Sequence, residues 1–387
     1  MKQAIQRLQA LLTPLYEPRE AKAVVRLLLE ELCGFSYTQI VMQTAVLSDE
    51  QRNRFEACGR LLADGIPVQQ VLGYTWFRGR KFRVTADVLI PRPETAELVD
   101  MVVDNFVENE LKTAENSVEN RVENVAKKLN PPLDNNVENY HNPVDKTIDN
   151  SVENPSDKAT SSPVENPVEN KSRVVEKAVE NHVDKPDYNL LDVGTGSGCI
   201  ALSLAADINR SFITAADLST AALDVTKSNA KALGISNVRF VEADILREEE
   251  SDFSTELSTL PADVVNRTSA DGSALYDAIV SNPPYICKRE AVDMEPNVLD
   301  HEPHLALFVP DDDPLLFYRA IARYGQRHLR EGGRLYFEIN AAFGAETCQL
   351  LRDLGYTGVT LRKDFDGRDR FVCAQKPQNL KTSKPQQ

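Results

Sequence analysis

Five consecutive residues, Ser281-Asn282-Pro283-Pro284-Tyr285, carry the most specific chemistry in this chain. They follow Tyr276–Val280, which is apolar apart from Asp277 and reads as a buried strand. A side-chain amide or an exocyclic amine is a poor nucleophile, because its nitrogen lone pair is delocalised. To attack an electrophilic methyl group it must be held by both N–H bonds, with the lone pair aimed at the carbon. The Asn282 side-chain oxygen is one acceptor. The Pro283 carbonyl is the other, since successive prolines restrict the backbone that directs it. Tyr285 can pack on a flat substrate group. No strong base is needed if the proton leaves after methyl transfer, so positioning carries most of the barrier reduction. The bland alternative is a rigid Pro-Pro turn after a strand, and a second motif upstream weighs against it.

That motif is Asp192-Val193-Gly194-Thr195-Gly196-Ser197-Gly198, between a strand at 189–193 and a helix beginning near Cys199. The glycines permit a tight turn and close ligand approach, and helix N-terminal amides would face the ligand. A Gly-x-Gly-x-Gly turn alone also suits a dinucleotide or no ligand at all. Asp192 tilts the choice, because a carboxylate two residues before the first glycine suits an ammonium group and gains nothing from a pyrophosphate. Asp217, closing the next strand, can accept from both hydroxyls of a ribose. Asp244, after the third strand, is a candidate acceptor for an adenine amino group, with Ile245 beside it; a surface-turn aspartate is the equal alternative. Together these residues point to S-adenosylmethionine as cofactor.

The elements that must position these motifs alternate strand and helix. Strands are expected at 189–193, 211–217, 238–242, 276–281, 334–340, 358–363 and 370–375, giving a doubly wound α/β sheet. No helix fits between the last two, so they should close as an antiparallel hairpin around Asp366-Gly367-Arg368. Residues 1–75 read as a small helical domain. Leu8, Leu11, Leu12 and Leu15 suggest one apolar face, Val24, Val25, Leu27, Leu28 and Leu32 another, and Ser48 caps a third helix. Residues 76–106 supply a hairpin about Gly79 and a linking helix ending near Val103, the folded methyltransfer domain spans 188–376, and 377–387 is a flexible tail.

Residues 107–187 differ from everything else. Val-Glu-Asn recurs eight times at irregular spacing, which excludes a stacked solenoid, and prolines with few large apolar residues predict disorder. The segment holds ten Lys and Arg against 17 Asp and Glu, so −8 of the total charge of −15 remains elsewhere. A tolerated surface insertion outweighs a partner-binding tether, because lengthening a loop costs little.

The acidic balance argues against a broad nucleic-acid surface, and no direct nucleic-acid binding is expected. No apolar run is long enough to span a bilayer and the charged, amphipathic start does not resemble a signal, so a cytoplasmic location without membrane association is expected. Six scattered cysteines suggest free thiols. His301 and His304 flank Glu302, but no further ligand cluster accompanies them and no metal is expected.

The sequence resembles the peptide chain release factor glutamine methyltransferases, the HemK or PrmC family. The likeness rests on Pro67-Val68-Gln69-Gln70-Val71-Leu72-Gly73, Leu89-Ile90-Pro91-Arg92-Pro93-Glu94-Thr95, Asp192–Gly198, Asn282–Tyr285 with Ile286, Glu302-Pro303 with Ala306-Leu307, and Phe317-Tyr318-Arg319. It implies a seven-stranded class I methyltransferase sheet, with a helical N-terminal domain that helps hold a protein substrate. It also implies transfer from S-adenosylmethionine to the glutamine of a Gly-Gly-Gln loop in a release factor. Gly194–Gly198, Asp217 and Asn282 would then bind the cofactor region, and Asn282–Tyr285 the glutamine. Ile245 stands where some relatives have an aromatic, and Val309-Pro310-Asp311-Asp312-Asp313-Pro314 where many have a Gly-rich turn. Two other readings remain: an N6-adenine methyltransferase using the same motif on a flipped base, and a non-catalytic release-factor-binding protein.

Overall fold

Seven strands find their partners in one sheet, the central ones built from apolar runs. The computed structural model describes residues 1–42, 44–108, 188–247 and 275–378. The strands β1 (Tyr74–Phe77) and β2 (Arg80–Arg83) form a separate hairpin. The main sheet contains β3 (Tyr188–Val193), β4 (Ser211–Asp217), β5 (Val238–Glu242), β6 (Tyr276–Ser281), β9 (Leu329–Glu338), β10 (Thr357–Lys363) and β11 (Asp369–Gln375). Two short strands, β7 (Ile286–Cys287) and β8 (Phe308–Val309), pair beside it. The sheet order is β10-β11-β9-β6-β3-β4-β5, parallel from β9 through β5, with β11 antiparallel to both neighbours. The doubly wound fold expected from the sequence is therefore present.

Successive residues feed opposite faces. Leu190, Ala278 and Val280 pack with helix Cys199–Asp207 and with Leu98, Val99, Val102 and Phe106. Leu191, Val193, Ile279 and Phe337 pack with Tyr318, Ile321 and Leu351. All six residues of β6 are buried, as a central strand covered on both faces requires. At the edge, β10 is mostly exposed and ends in Arg362-Lys363, charges that discourage further strand pairing. The final hairpin forms at the sheet edge as expected, with β10 outermost and β11 between it and β9.

Some boundaries differ from the sequence reading. The linking helix covers 93–108 and does not stop near Val103, because Phe106 continues the buried stripe of Leu98, Val99 and Val102. Strand β9 begins at Leu329 and accommodates Gly332, at φ 76°, through a register shift opposite Tyr276–Ala278. In helix Lys2–Leu12 the buried stripe is Ala4, Leu8 and Leu12, an i, i+4 ladder; Leu11 is exposed, as is Leu15 in the turn that follows. Ser48 caps helix Asp49–Ala63 through a reciprocal capping box with Gln51. The segment 107–187 lies outside the described residues apart from 107–108, and so does the tail from 379 onward. Among the described residues no helix is long and apolar enough to cross a membrane.

Candidate active site

A cleft opens at the carboxyl ends of β3, β4, β5 and β6, beside the point where the strand order reverses between β3 and β6. Each strand delivers one part of it. Gly194 and Gly196 line it after β3, Asp217 at the end of β4, Asp244 and Ile245 after β5, and Asn282, Pro283 and Pro284 after β6. Val88, Leu89, Ala222, Phe317 and Ile321 supply apolar walls. The two motifs separated by over eighty positions thus meet in one cavity.

The glycine loop is built from positive backbone angles. Gly194, Gly196 and Gly198 have φ of 74°, 55° and 81°, where other residues are strained. A Cβ on Gly198 would lie 2.6 Å from Thr226 Cγ2, so this glycine serves packing, whereas Gly194 and Gly196 face open space. The Gly196 amide donates to Asp217 Oδ2 at 2.8 Å and the Ser219 amide to Asp217 Oδ1 at 2.9 Å. Burial raises the Asp217 carboxyl above its usual range, and those amides oppose the rise.

Asp192 does something other than face the cleft. It is fully buried and is absent from the cleft lining. Its Oδ2 accepts from the Thr195 hydroxyl at 2.7 Å and from the Ala201 amide at 3.1 Å, while Oδ1 has no hydrogen-bond partner. One amide of the first turn of helix Cys199–Asp207 therefore points back at Asp192, not out at a ligand. Burial pushes the Asp192 carboxyl up to about 7, despite those two donors. Thr195 and Ser197, within the loop itself, are likewise buried. Asp244 caps its own turn, its Oδ1 accepting from the Leu246 amide at 3.0 Å, and Ile245 is buried against the sheet core.

The Asn-Pro-Pro-Tyr segment is held from behind by residues that sequence reasoning did not single out. Asn282 Nδ2 donates to Thr95 Oγ1 at 3.1 Å, and the Thr95 hydroxyl donates to Glu338 Oε2 at 2.7 Å. The Tyr285 hydroxyl donates to Glu338 Oε1 at 3.2 Å. Tyr285 lies outside the cleft lining and packs its ring against the sheet core. Asn340 Nδ2 donates to the Tyr285 carbonyl at 3.1 Å and to Glu290. Burial raises the Glu338 carboxyl to about 7; Thr95, Arg370 and Tyr285 pull it down and Glu94 pushes it up. Burial is also the main cause of the raised Tyr285 phenol. The one signal for Thr95 in the sequence was its place in the Ile-Pro-Arg-Pro-Glu-Thr stretch; Glu338 and Asn340 gave none.

That stretch has its own clamp. Glu302 accepts from the Ile90 amide at 3.2 Å and pairs with Arg92, so the chain enters helix 93–108 in a fixed position and presents Thr95 to Asn282. His301 and His304 place their ring Nε2 atoms at the carbonyls of Asp64 and Leu299, at 3.2 and 2.8 Å. Gln70 donates to the His301 carbonyl at 2.9 Å. The N-terminal helices thereby attach to the loop whose Pro303, Leu305 and Ala306 line the cleft.

Two family models match separate stretches of the chain. Residues 3–73 match the family described as PrmC N-terminal domain, and residues 184–300 one described as Methyltransferase domain. A release factor glutamine methyltransferase of Bacteroides thetaiotaomicron is 34% identical over 94% of this chain and 96% of its own length. One from Flavobacterium psychrophilum is 30% identical over 93% and 94%, and one from Cereibacter sphaeroides 33% identical over 86% and 82%.

Proposed function

This chain belongs to the release factor glutamine methyltransferase family, and we propose that it methylates the side-chain amide nitrogen (N5) of the glutamine in the Gly-Gly-Gln motif of a peptide chain release factor. S-adenosylmethionine is the methyl donor and supplies a methyl carbon activated by a sulfonium sulfur. The cleft fits that group. Gly194 and Gly196 leave open space at its floor, Asp217 offers carboxylate lone pairs for ribose hydroxyls, and Val88, Leu89, Ile245 and Phe317 suit an adenine ring.

The observation that carries the proposal is the placement of Asn282 on the same cavity as Gly194, Gly196 and Asp217, with its NH2 group tied to Thr95. Its oxygen is left to accept one N–H of the glutamine amide, and the Pro283 carbonyl accepts the other. So held, the nitrogen lone pair faces the methyl carbon. The methyl group that S-adenosylmethionine would supply could then pass to that nitrogen, with one N–H proton lost to water. The helices of residues 1–75, attached beside the cleft wall, hold the protein substrate. The same −8 balance outside the insert and the lack of a basic target-recognition segment disfavour an adenine in duplex DNA, and a cytoplasmic setting follows from the substrate.

The test is transfer of labelled methyl to purified release factor, with duplex DNA in parallel. Asn282→Ala should reduce kcat by about 100-fold or more while changing cofactor affinity little, because the lost interaction is made with the reacting nitrogen. Near-normal turnover by this variant removes the mechanism. Label in DNA and none in release factor moves the assignment to adenine, and cofactor binding without transfer to either leaves a non-catalytic binding protein.

A further inference from the structure

Asn282 can turn either its oxygen or its NH2 group toward the cleft, and only the oxygen can accept an N–H from a substrate amide. The choice is made outside the cleft. Thr95 has one hydroxyl proton, and it points at Glu338 Oε2, 2.7 Å away. With that proton committed to a carboxylate, Thr95 Oγ1 is left as an acceptor. Only the NH2 end of Asn282, 3.1 Å distant, can satisfy it. We propose that Thr95 and Glu338 are positioning residues that lock the Asn282 amide with its oxygen toward the substrate nitrogen, and that turnover depends on Glu338 being ionised.

This inference rests on the role given to Asn282 above. Neither residue lines the cleft, and they are only 2% and 1% exposed, so a direct substrate role is excluded by position. They come from distant elements, the first turn of helix 93–108 and the last residue of β9. The groups around the carboxylate belong to each element packed on it. Tyr285, after β6, donates to Oε1. Arg370, on β11, favours the ionised form while bonded to Asp364, and Glu94, beside Thr95, opposes it. Tyr318, on helix Leu316–His328, reaches the Glu338 backbone carbonyl at 3.5 Å.

Protonation undoes the lock by a defined exchange. A neutral Glu338 can donate its own O–H to Thr95 Oγ1. The Thr95 proton is then free to donate to Asn282, which satisfies the amide by its oxygen and leaves NH2 facing the cleft. Since burial places this carboxyl at about 7, turnover should fall as pH drops through neutrality and level off above it.

The experiment uses the full chain, purified release factor and three variants. Thr95→Val keeps the shape and removes the hydroxyl; kcat should fall about tenfold or more, with KM for release factor and the cofactor dissociation constant near normal. Thr95→Ser restores the hydroxyl and should stay within about twofold of the native rate. Glu338→Gln should turn over slowly and lose the acidic limb of the kcat–pH profile. Native turnover by Thr95→Val overturns the proposal, as does Thr95→Ser falling equally far, or an acidic limb that persists in Glu338→Gln. Should Glu338→Gln fail to fold, the threonine pair decides alone. An active Asn282→Ala defeats the underlying role of Asn282, whereas an inactive Asn282→Ala beside an active Thr95→Val defeats only the lock.

Discussion

The rings of Phe106 and Tyr188 meet edge to face, with centroids 4.8 Å apart, although the whole Val-Glu-Asn-rich segment separates them in sequence. Phe106 ends the buried stripe of helix 93–108 and Tyr188 opens β3, so the folded body is continuous across the insertion point.

That contact predicts that the segment between them is dispensable for folding and cofactor binding. Replacing residues 110–186 with a short Gly/Ser linker should leave the melting temperature and the S-adenosylmethionine dissociation constant close to native, because the flanking elements already pack on each other. Calorimetry of both proteins checks this. Loss of cofactor affinity would show that the insert builds part of the site. Activity lost on intact release factor but kept on a short Gly-Gly-Gln peptide would identify a docking segment.

Asp217 joins the glycine loop to the end of β4 and is the candidate ribose acceptor. Asp217→Ala removes charge-assisted hydrogen bonds to the nucleoside and frees the Gly196 amide, so the cofactor dissociation constant should rise about tenfold or more. Isothermal titration measures it directly. An unchanged constant would place the ribose elsewhere.

The buried acids predict an unusual pH dependence of stability. Asp192 has an ordinary value of 3.8 and is raised to about 7 in the folded chain, mainly by burial. Between those values the folded state keeps a proton that the unfolded state has released. Stability from this group is therefore full below about pH 4 and declines by at most about 1.4 kcal/mol per pH unit up to about pH 7. Glu338 acts in the same direction. Acids held below their usual range by ion pairs, such as Asp207 and Asp313, act in the opposite sense and at lower pH. Asp192→Asn should therefore gain stability relative to the native chain between about pH 5 and about pH 8 in urea denaturation of the cofactor-free protein. An equal difference at both pH values would mean that Asp192 is ionised throughout.

The sequence by itself determined the elements and the chemistry of the motifs, because both are local. Runs such as Tyr276–Ser281 announce a buried strand, Gly194–Gly198 a turn of positive φ, and Asn282-Pro283-Pro284 an amide held beside a rigid carbonyl. It did not determine where Asp192 or Tyr285 would point. Each was assigned to a ligand by its place in a motif, yet Asp192 folds back on Thr195 and Ala201 and Tyr285 turns to Glu338. Only the tertiary structure could bring Thr95 and Glu338 together behind Asn282. A hydrogen bond needs atoms about 3 Å apart, and residues 243 positions apart acquire that closeness only when the helix at 93–108 and the end of β9 pack on the same sheet.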